Sequence, residues 1–351
     1  MRGDGLRTTI KDIAALAGVS KATVSFVFNA PEKISAETRE RVLRIAEETG
    51  YVPDPVARTL ATKRIGTIGL LLPQPIEEVF QNPYMFEILR GIGRLCHAED
   101  LSLTALPPVR GLLSQTVRNA VVDAIVTIGI GPDADILQLI RKRRIPFVTI
   151  DGSTAESVVN VGIDDEEASY VLIRHVLALR HRRIAVITFR AQSSLAQADY
   201  EHRSRTLDLR LAGFERALRE EGLELRSPDI AVYSCGASME AAQEVASGIL
   251  TDRPRPTAVV CLSDAAALGV YAACRRLRIE IPGVLSVAGF DDIPFSALVS
   301  PPLTTVRQPG YEKGFAAARA ALDLLRGRIC QDVSFPVELV VRGSTGPAPS
   351  G

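Results

Sequence analysis

The sequence predicts an all-α helix-turn-helix headpiece followed by an α/β core of two doubly wound lobes, each built on a parallel sheet. In residues 1–64, apolar residues recur with the spacing of short helices, and Gly and Pro punctuate them. From Ile65 onward, short apolar runs alternate with longer helical stretches, which is the rhythm of βαβ units. A chain of 351 residues is also too long for one ordinary domain, so more than one core is expected.

The headpiece is predicted over residues 1–52 and contains three short helices. Thr9, followed three residues later by an aspartate, begins the first helix, and Gly18 ends it. Ser20 caps the second helix, which a tight turn joins to the first, so these two form a helix-turn-helix. The third helix begins after Ser35 and closes at another glycine.

A linker with two prolines, residues 53–64, separates the headpiece from the core. Pro53 breaks the preceding helix, Asp54 can cap a new one, and Pro55 suits the first helical position. The resulting hinge helix is too short to be stable without a partner.

Eight apolar runs predict strands of the core: IGTIGLLL, LSLTAL, DAIVTIGI, IPFVTI, RIAVITF, IAVYS, TAVVCL and VLSVAGF. Because so many strands exceed one compact sheet, we divide them into two lobes. Lobe one is predicted over about 65–160 plus 293–325, and lobe two over about 161–292 plus 326–345. The last segments, which include a helix from about Gly310 to Gly327, are expected to cross between the lobes and complete both.

Composition places the chain among soluble globular proteins. Hydrophobic residues make up 46% and charged residues 23%, so neither disorder nor a fibrous fold is indicated. The five cysteines lack CxxC spacing, which fits a reducing compartment. The N-terminus lacks the apolar core of a secretory signal, and no apolar run approaches the ~18 residues of a membrane span. We therefore expect a cytoplasmic protein without a membrane partner.

Motifs for catalysis are missing from the sequence. It contains no GxxxxGK[ST] loop, no GxSxG elbow, no HExxH and no complete dinucleotide GxGxxG. The four histidines share no metal-ligand spacing. We predict no enzyme activity, no catalytic residues, no cofactor and no metal. Residues 1–64 hold 11 Lys and Arg against 8 Asp and Glu, but such an excess is common on solvated helices and indicates nucleic acid only weakly.

Five collinear blocks make the chain resemble the lactose-repressor/galactose-repressor (LacI/GalR) family of bacterial transcription regulators over essentially its whole length. The blocks are TIKDIAALAGVSKATVSFVFN, ISAETRERVLRIAEETGYVPDPVARTL, RLAGF, GFDDIP and PPLTTVRQP. The resemblance implies a homodimer, a headpiece that binds a near-palindromic double-stranded DNA operator, and an effector-binding and dimerisation core over 65–345. It also implies that this core is similar to periplasmic sugar-binding proteins.

The resemblance implies that three residues of the second helix read bases in the major groove, namely Lys21, Ala22 and Phe26. Lys21 can donate to guanine, whereas Ala22 and Phe26 can meet thymine methyl groups. Each has an alternative: Lys21 as a phosphate contact, Ala22 as a small spacer, and Phe26 as padding between helices. Phe26 also departs from the family, where Arg, His or Tyr is more usual, and this leaves the base preference at that step open.

A second set matches family positions that hold phosphates: Thr9, Ser20, Thr23, Ser25, Asn29, Lys33 and Thr38. For Thr9 and Ser20, a purely structural capping role is the alternative. In the linker, Leu60 matches the family's minor-groove wedge, while Ala57 and Arg58 lie along the groove wall. The alternative for Leu60 is packing on the core.

Five residues are predicted to bind the effector. Asp151, Ser263 and Asp291 follow strands whose carboxyl ends would line a cleft between the lobes. Arg210 and Tyr84 match ligand-binding positions of the family. Asp151 as a turn cap and Arg210 as a surface salt-bridge former are the alternatives.

The effector is expected to be a sugar or sugar-like metabolite, with a nucleoside as the second choice. The chain contains no tryptophan, and no aromatic residue lies at Cys235–Gly236, where sugar binders of the family often present a ring. Asp264, directly after TAVVCL, is expected to cap the next helix and is not assigned to the ligand.

The predicted function is that of a DNA-binding regulator of the repressor type, controlled by a small molecule between the lobes. Whether the ligand releases or promotes DNA binding is left open. The alternative is a solute-binding protein with a helical prefix, and salt-dependent DNA binding separates the two.

Overall fold

The computed structural model of the protein describes residues 8–54, 59, 64–110, 112–129, 135–152, 158–189, 205–236 and 238–349. The chain divides into two units, Met1–Ile65 and Gly66–Gly351. The first contains the helical headpiece, and the second contains two six-stranded sheets. Within the described ranges, no helix is long and apolar enough to cross a membrane.

Three helices form the headpiece: α1 (Ile10–Ala17), α2 (Lys21–Asn29) and α3 (Ala36–Thr49), with a 3-10 turn at Pro31–Lys33. Their ends are those that the sequence predicts. The hydroxyls of Ser20 and Ser35 accept backbone N–H groups at the starts of α2 and α3. Gly18 and Gly50 end α1 and α3 with φ of 63° and 64°, the left-handed conformation that glycine adopts without strain.

The headpiece has its own apolar core. The predicted helical stripes meet in one cluster of buried side chains, which consists of Ile13, Ala14, Ala17, Val24, Val27 and Val42. The rings of Phe28 and Tyr51 pack beside it with centroids 5.9 Å apart. The prediction of a headpiece of three short helices with apolar residues at helical spacing is therefore confirmed.

Lobe one contains the strands β1 (Thr67–Leu71), β2 (Ser102–Leu106), β3 (Ala124–Ile128), β4 (Phe147–Ile150), β5 (Val159–Ile163) and β11 (Val333–Phe335). Its helices are α4 (Ile76–Val79), α5 (Tyr84–Ala98), α6 (Leu113–Asn119), α7 (Asp135–Lys142) and α12 (Gly310–Leu325). The strands are all parallel and lie in the order β11-β5-β4-β3-β1-β2. One apolar cluster packs α5 and α12 on the sheet, and another packs α6 and α7.

Lobe two contains the strands β6 (Ile184–Phe189), β7 (Ile230–Cys235), β8 (Ala258–Cys261), β9 (Ser286–Asp291), β10 (Thr304–Arg307) and β12 (Glu338–Val340). Its helices are α8 (Asp165–Ala178), α9 (Arg205–Glu220), α10 (Met239–Thr251) and α11 (Asp264–Leu277), with a 3-10 turn at Pro294–Ala297. The strand order is β12-β10-β9-β8-β6-β7, and β12 alone among these runs antiparallel to its neighbour.

The sheets divide the chain differently from the predicted lobes at three places. Strand β5 continues to residue 163 in sheet one, although lobe two was predicted from 161. Strand β10 pairs with β9 in sheet two, although 293–325 was assigned to lobe one. Strand β11 pairs with β5 in sheet one, although 326–345 was assigned to lobe two. The chain thus passes between the sheets after β5, after β10 and after β11, and the crossings that the sequence predicts complete both lobes.

The carboxyl ends of β4, β9 and β10 bring polar residues to the region between the lobes. Asp151 follows β4 of lobe one, Asp291 ends β9, and Gln308 follows β10 of lobe two. Ligands of open parallel sheets bind beyond these ends. Helix α12 begins in the same region, since the chain leaves β10 and returns to lobe one through its first turn.

Candidate functional site

The N-terminal half of α2 is the part of the headpiece that presents the predicted base-reading residues. Lys21 and Ala22 are exposed in its first turn, and Phe26 lies one turn further with 42% of its surface exposed. The opposite face of α2 buries Val24 and Val27 in the headpiece core. Phe26 lies outside that cluster, so the structure does not support the alternative in which its ring pads the helices.

Two of the predicted phosphate contacts are also helix caps. The Asp12 carboxylate accepts both the backbone N–H and the hydroxyl of Thr9, at 2.8 Å each, and these bonds hold the pKa of Asp12 below its usual value. The Ser20 hydroxyl accepts the Thr23 N–H at 3.0 Å and lies 2.9 Å from the Thr23 hydroxyl. The capping role is therefore real for Thr9 and Ser20, and phosphate binding would be an addition to it.

The remaining predicted phosphate contacts lie on the headpiece surface or are half-buried. The Asn29 amide donates to the Ser25 hydroxyl at 3.1 Å, and Thr38 lies beside the cap of α3. The Lys33 ammonium lies 5.6 Å from the centre of the Phe26 ring, a cation–π contact that links a predicted phosphate contact with a predicted base contact. Ala57, Arg58 and Leu60 lie outside the described residues.

The Asp151 side chain is held by a buried cation and by its backbone at the end of β4. Both of its carboxylate oxygens accept from Nζ of Lys313, at 2.7 and 2.9 Å. Its backbone φ is 52°, in the left-handed region that a non-glycine residue enters only when its surroundings hold it there. Asp151 therefore has a structural partner, and the predicted ligand role would use the oxygen lone pairs that remain.

A chain of hydrogen bonds joins three of the predicted effector residues through two residues that sequence reasoning missed. Lys313 also donates to Oε1 of Gln308 at 2.7 Å, and the same oxygen accepts from the Tyr84 hydroxyl at 3.3 Å. The Gln308 Nε2 donates to Asp291 at 2.7 Å. All five side chains are buried or nearly so. The structure thus connects Tyr84 and Asp151 of lobe one to Asp291 of lobe two.

Arg210 forms a buried ion pair. Its Nε donates to Asp165 at 2.8 Å, its Nη1 donates to the Leu262 carbonyl at 2.7 Å, and its guanidinium carbon lies 3.7 Å from the centre of the Phe290 ring. With 4% of its surface exposed, it is no surface salt-bridge former, so that alternative is wrong. Burial raises the pKa of Asp165, and the charge of Arg210 opposes that shift.

The roles of Ser263 and Asp264 at the start of α11 differ from the prediction. Ser263 is the cap, since its hydroxyl accepts the Ala266 N–H at 3.2 Å. Asp264 instead bonds across lobe two and accepts from the hydroxyls of Ser296 and Thr305, at 2.5 and 2.6 Å. The predicted cap, Asp264, is wrong by one residue, because both Ser263 and Asp264 have side chains that can accept the free N–H groups of a helix start.

Two carboxyls in this part of lobe two resist ionisation. Burial raises the pKa of Asp291 to about 8, with the charge of Asp264 adding to the effect. Burial also raises the pKa of Asp264 to about 6, although hydrogen bonds from Ser296 and Thr305 oppose it. At neutral pH, Asp291 therefore carries a proton for most of the time, and it acts as a neutral polar group.

We expect Asp291→Asn to flatten the dependence of core stability on pH. Free Asp has a pKa near 3.9, whereas folded Asp291 has a pKa of about 8. Between these values the folded chain holds more protons, so the free energy of unfolding falls as pH rises, by up to about 1.4 kcal/mol per pH unit. Asparagine removes this titration. Urea unfolding at intervals across the range measures the two slopes.

Glu99→Gln is the control for this experiment. Hydrogen bonds from Arg326 and Arg319 hold the pKa of Glu99 below its usual value, so its contribution is lost only when pH falls below that value. Its replacement should leave the slope between pH values of about 5 and 8 unchanged. Equal slopes for the parent chain and Asp291→Asn would show that Asp291 is ionised in the folded core throughout.

A cavity of about 320 Å³ lies beside Asp151, and it is large enough for a small metabolite. Its other lining residues come from β5, the start of α8, the start of α9 and β11. The lining carries four further carboxylates and Arg205. Of the five predicted effector residues, Asp151 is the one that lines this cavity.

Comparisons with protein families match both units. The family described as bacterial regulatory proteins, lacI family, matches residues 9–54, and the periplasmic binding protein-like domain matches residues 173–345. These matches fall on the headpiece helices and on lobe two with the final segments of the core.

Relatives align over nearly the whole chain. A helix-turn-helix-type transcriptional regulator of Mycobacterium tuberculosis is 35% identical over 97% of this chain and 98% of its own length. The helix-turn-helix-type transcriptional repressor PurR of Vibrio vulnificus is 30% identical over 95% of this chain and 97% of its own length. The ribose operon repressor of Haemophilus influenzae is 32% identical over 91% and 92%.

A solved structure of the lac repressor dimer, bound to operator and an anti-inducer, has a TM-score of 0.80 and is 25% identical over 97% of this chain and all of that one. The regulator CelR in complex with cellobiose has a TM-score of 0.67 at 25% identity, over 96% of this chain and all of that one. The helix-turn-helix headpiece, the paired parallel sheets and these relatives agree, and the chain belongs to the lacI family of bacterial regulatory proteins.

Proposed function

We propose that the protein is a transcriptional repressor whose affinity for a near-palindromic operator is set by a small molecule bound between the lobes of its core. The observation that carries the proposal is the division of α2 into two faces. Val24 and Val27 are buried in the headpiece, whereas Lys21, Ala22 and Phe26 project from the other side. A helix of this size, with its first turn free, fits the major groove of DNA.

The assignment of contacts follows the two faces of the headpiece. Lys21, Ala22 and Phe26 are proposed to read bases, and the hydroxyl, amide and lysine side chains around them are proposed to hold phosphates. Leu60 is proposed to enter the minor groove, and Ala57 and Arg58 to lie along the groove wall, when two subunits bring their linkers together. We propose that residues 1–52 form the DNA-binding headpiece and residues 53–64 the hinge. Residues 65–345 are proposed to form the core that binds the effector and dimerises.

The ligand is proposed to be a sugar or sugar-like metabolite, with a nucleoside as the second choice. One relative is named a ribose operon repressor, and one similar structure is a complex with cellobiose. Tyr84, Asp151, Arg210, Ser263 and Asp291 are proposed to lie around it. A ligand changes DNA affinity only through its different affinity for two arrangements of the lobes.

The test begins with selection of bound sites from a random pool of double-stranded DNA at moderate ionic strength. We expect a site with two-fold symmetry. On that site, Lys21→Ala should weaken binding about tenfold or more and relax the preference at one base pair of each half-site, because a good side chain–base contact discriminates by about 1–3 kcal/mol. Fluorescence anisotropy against the selected site and its single-base variants measures both effects.

Lys142→Ala is the matched control, since it removes the same charge from an exposed position of α7 in the core. It should leave the affinity and the base preference unchanged. A uniform loss across all sites in Lys21→Ala would assign Lys21 to phosphate. Failure of the parent chain to prefer any selected site over bulk DNA, with or without metabolites, would refute the proposed function.

A further inference from the structure

Lys313, in the first turn of α12, is a fully buried lysine, with 0% of its side chain exposed. A lysine ammonium has three N–H donors. In this structure its partners are the two oxygens of Asp151, at 2.7 and 2.9 Å, and Oε1 of Gln308, at 2.7 Å. Every donor thus has an acceptor, and a buried charge of this kind is retained only when it is paired.

On one side, Lys313 binds the side chain of Asp151, a lobe-one residue whose backbone forms a hydrogen bond with lobe two. Asp151 has a left-handed φ of 52°, and its carbonyl accepts from the Thr206 hydroxyl at 3.2 Å. The carbonyl of Gly152 accepts from Nη1 of Arg205 at 2.9 Å. Thr206 and Arg205 begin α9 of lobe two. Because the lysine anchors the Asp151 side chain, it supports a backbone conformation on which both lobe-to-lobe bonds depend.

On the other side, Lys313 fixes the orientation of an amide that reaches lobe two. Oε1 of Gln308 accepts two hydrogen bonds, one from Nζ of Lys313 and one from the hydroxyl of Tyr84. An amide has an acceptor end and a donor end, so the other end must turn away from these donors. There Nε2 donates to Asp291 at 2.7 Å. The same lysine therefore supports bonds to lobe two through Asp151 and through Gln308.

We propose that Lys313 is a positioning residue that keeps the two lobes closed on each other through Asp151 and Gln308. It donates to both carboxylate oxygens of Asp151 and to Oε1 of Gln308. Separating the Lys313–Asp151 pair would leave buried charges uncompensated, so a ligand is expected to bind beside the pair and leave it intact. The consequence for operator affinity rests on the proposed function, but closure itself can be measured without DNA.

The test compares hydrogen exchange in the full-length chain and in Lys313→Met, both free of ligand and DNA. The probes are the amides of Gly152, bonded to the Asn160 side chain at 3.0 Å, and Gln308, bonded to the Asp291 carbonyl at 3.0 Å. We expect both to exchange about tenfold faster or more in the variant, since local opening controls exchange. Amides within the sheets, such as those of Leu70 and Val259, should keep their protection.

Lys313→Met/Asp151→Asn is the second variant, because it leaves no lone carboxylate behind. It should show the same local opening with a smaller loss of overall stability. Arg319→Met is the matched control: Arg319 lies on the same helix and pairs with Glu99 at 2.8 Å within lobe one. It should leave the amides of Gly152 and Gln308 protected.

Unchanged exchange at Gly152 and Gln308 in both Lys313 variants would overturn the proposal. Loss of protection throughout the sheets in both variants would overturn it as well, since Lys313 would then support folding and not closure. A chain that closes as described but prefers no DNA site would refute the proposed function and leave this inference standing. If the parent chain binds its selected DNA site and both Lys313 variants stay closed, this inference is refuted and the proposed function stands.

Discussion

Gly91→Ala is expected to destabilise lobe one by about 3 kcal/mol or more, near the upper end of what overpacking costs. Gly91 lies on α5 where that helix crosses α12. A Cβ atom added there would lie 2.0 Å from the Tyr311 carbonyl oxygen and 2.6 Å from the Phe315 nitrogen. Both are backbone atoms, so no side chain can turn aside, and the helices must separate. Urea unfolding of the full chain, followed by far-UV circular dichroism, measures the loss.

Gly93→Ala, two residues further on the same helix, is the matched control. A Cβ there meets nothing within 4 Å among the described atoms. Alanine is a better helix former than glycine by up to about 1 kcal/mol, so this variant should be neutral or slightly more stable. If Gly91→Ala unfolds at the same urea concentration as the parent chain, the helices can move apart freely, and the close contact does not hold lobe one together.

Most of the fold could be predicted from local pattern. The eight apolar runs all contain strands, and the caps at Ser20 and Ser35 are where the sequence places them. These features depend on short-range chemistry: a buried parallel strand needs an apolar run, and a helix start needs an acceptor for its free N–H groups.

The assignment of strands to lobes was less predictable because it depends on distant pairing. Strand β5, with the sequence VNVGI, is interrupted by Asn160 and Gly162, so it gives no continuous apolar signal. The polar side chain of Asn160 has a structural role in this strand, since its amide oxygen accepts hydrogen bonds from the Thr149 hydroxyl and from the Gly152 N–H. Strand β11 is three residues long, and its partner β5 lies about 170 positions earlier, a pairing that no local pattern reports.

The polar residues of the cleft were also predicted only in part, because some of their contacts join residues that are distant in the sequence. Asp151 and Asp291 were found because they end apolar strands, where ligands of parallel sheets bind. Lys313 and Gln308 were missed. A lysine in an amphipathic helix is nearly always exposed, so the sequence of α12 gives no sign that this one is buried. Its burial follows from Asp151, which lies 162 residues away and supplies the opposite charge.

Three of the predicted effector residues already have hydrogen-bond partners within the protein. Tyr84, Asp151 and Asp291 are bound to one another through Lys313 and Gln308. A ligand must therefore use their remaining lone pairs or reorganise the network.

Arg210→Met is expected to destabilise the core by about 3–5 kcal/mol, the usual cost of breaking a buried ion pair from one side. The loss of the guanidinium leaves the buried Asp165 carboxylate without its cation and the Leu262 carbonyl without its donor. It also removes the cation from the face of the Phe290 ring. Urea unfolding at neutral pH measures the change, with the slope of the transition checked against the parent chain.

A double-mutant cycle with Asp165→Asn separates the ion pair from simple loss of packing. If the pair is what matters, Arg210→Met/Asp165→Asn should be less destabilised than the sum of the single variants, with a coupling of about 2 kcal/mol. Asp165 begins α8, where the helix N-terminus also favours a negative charge. A strictly additive cycle would mean that this helix end stabilises Asp165 without Arg210, and that contacts such as those with Phe290 and Leu262 hold the arginine in the core.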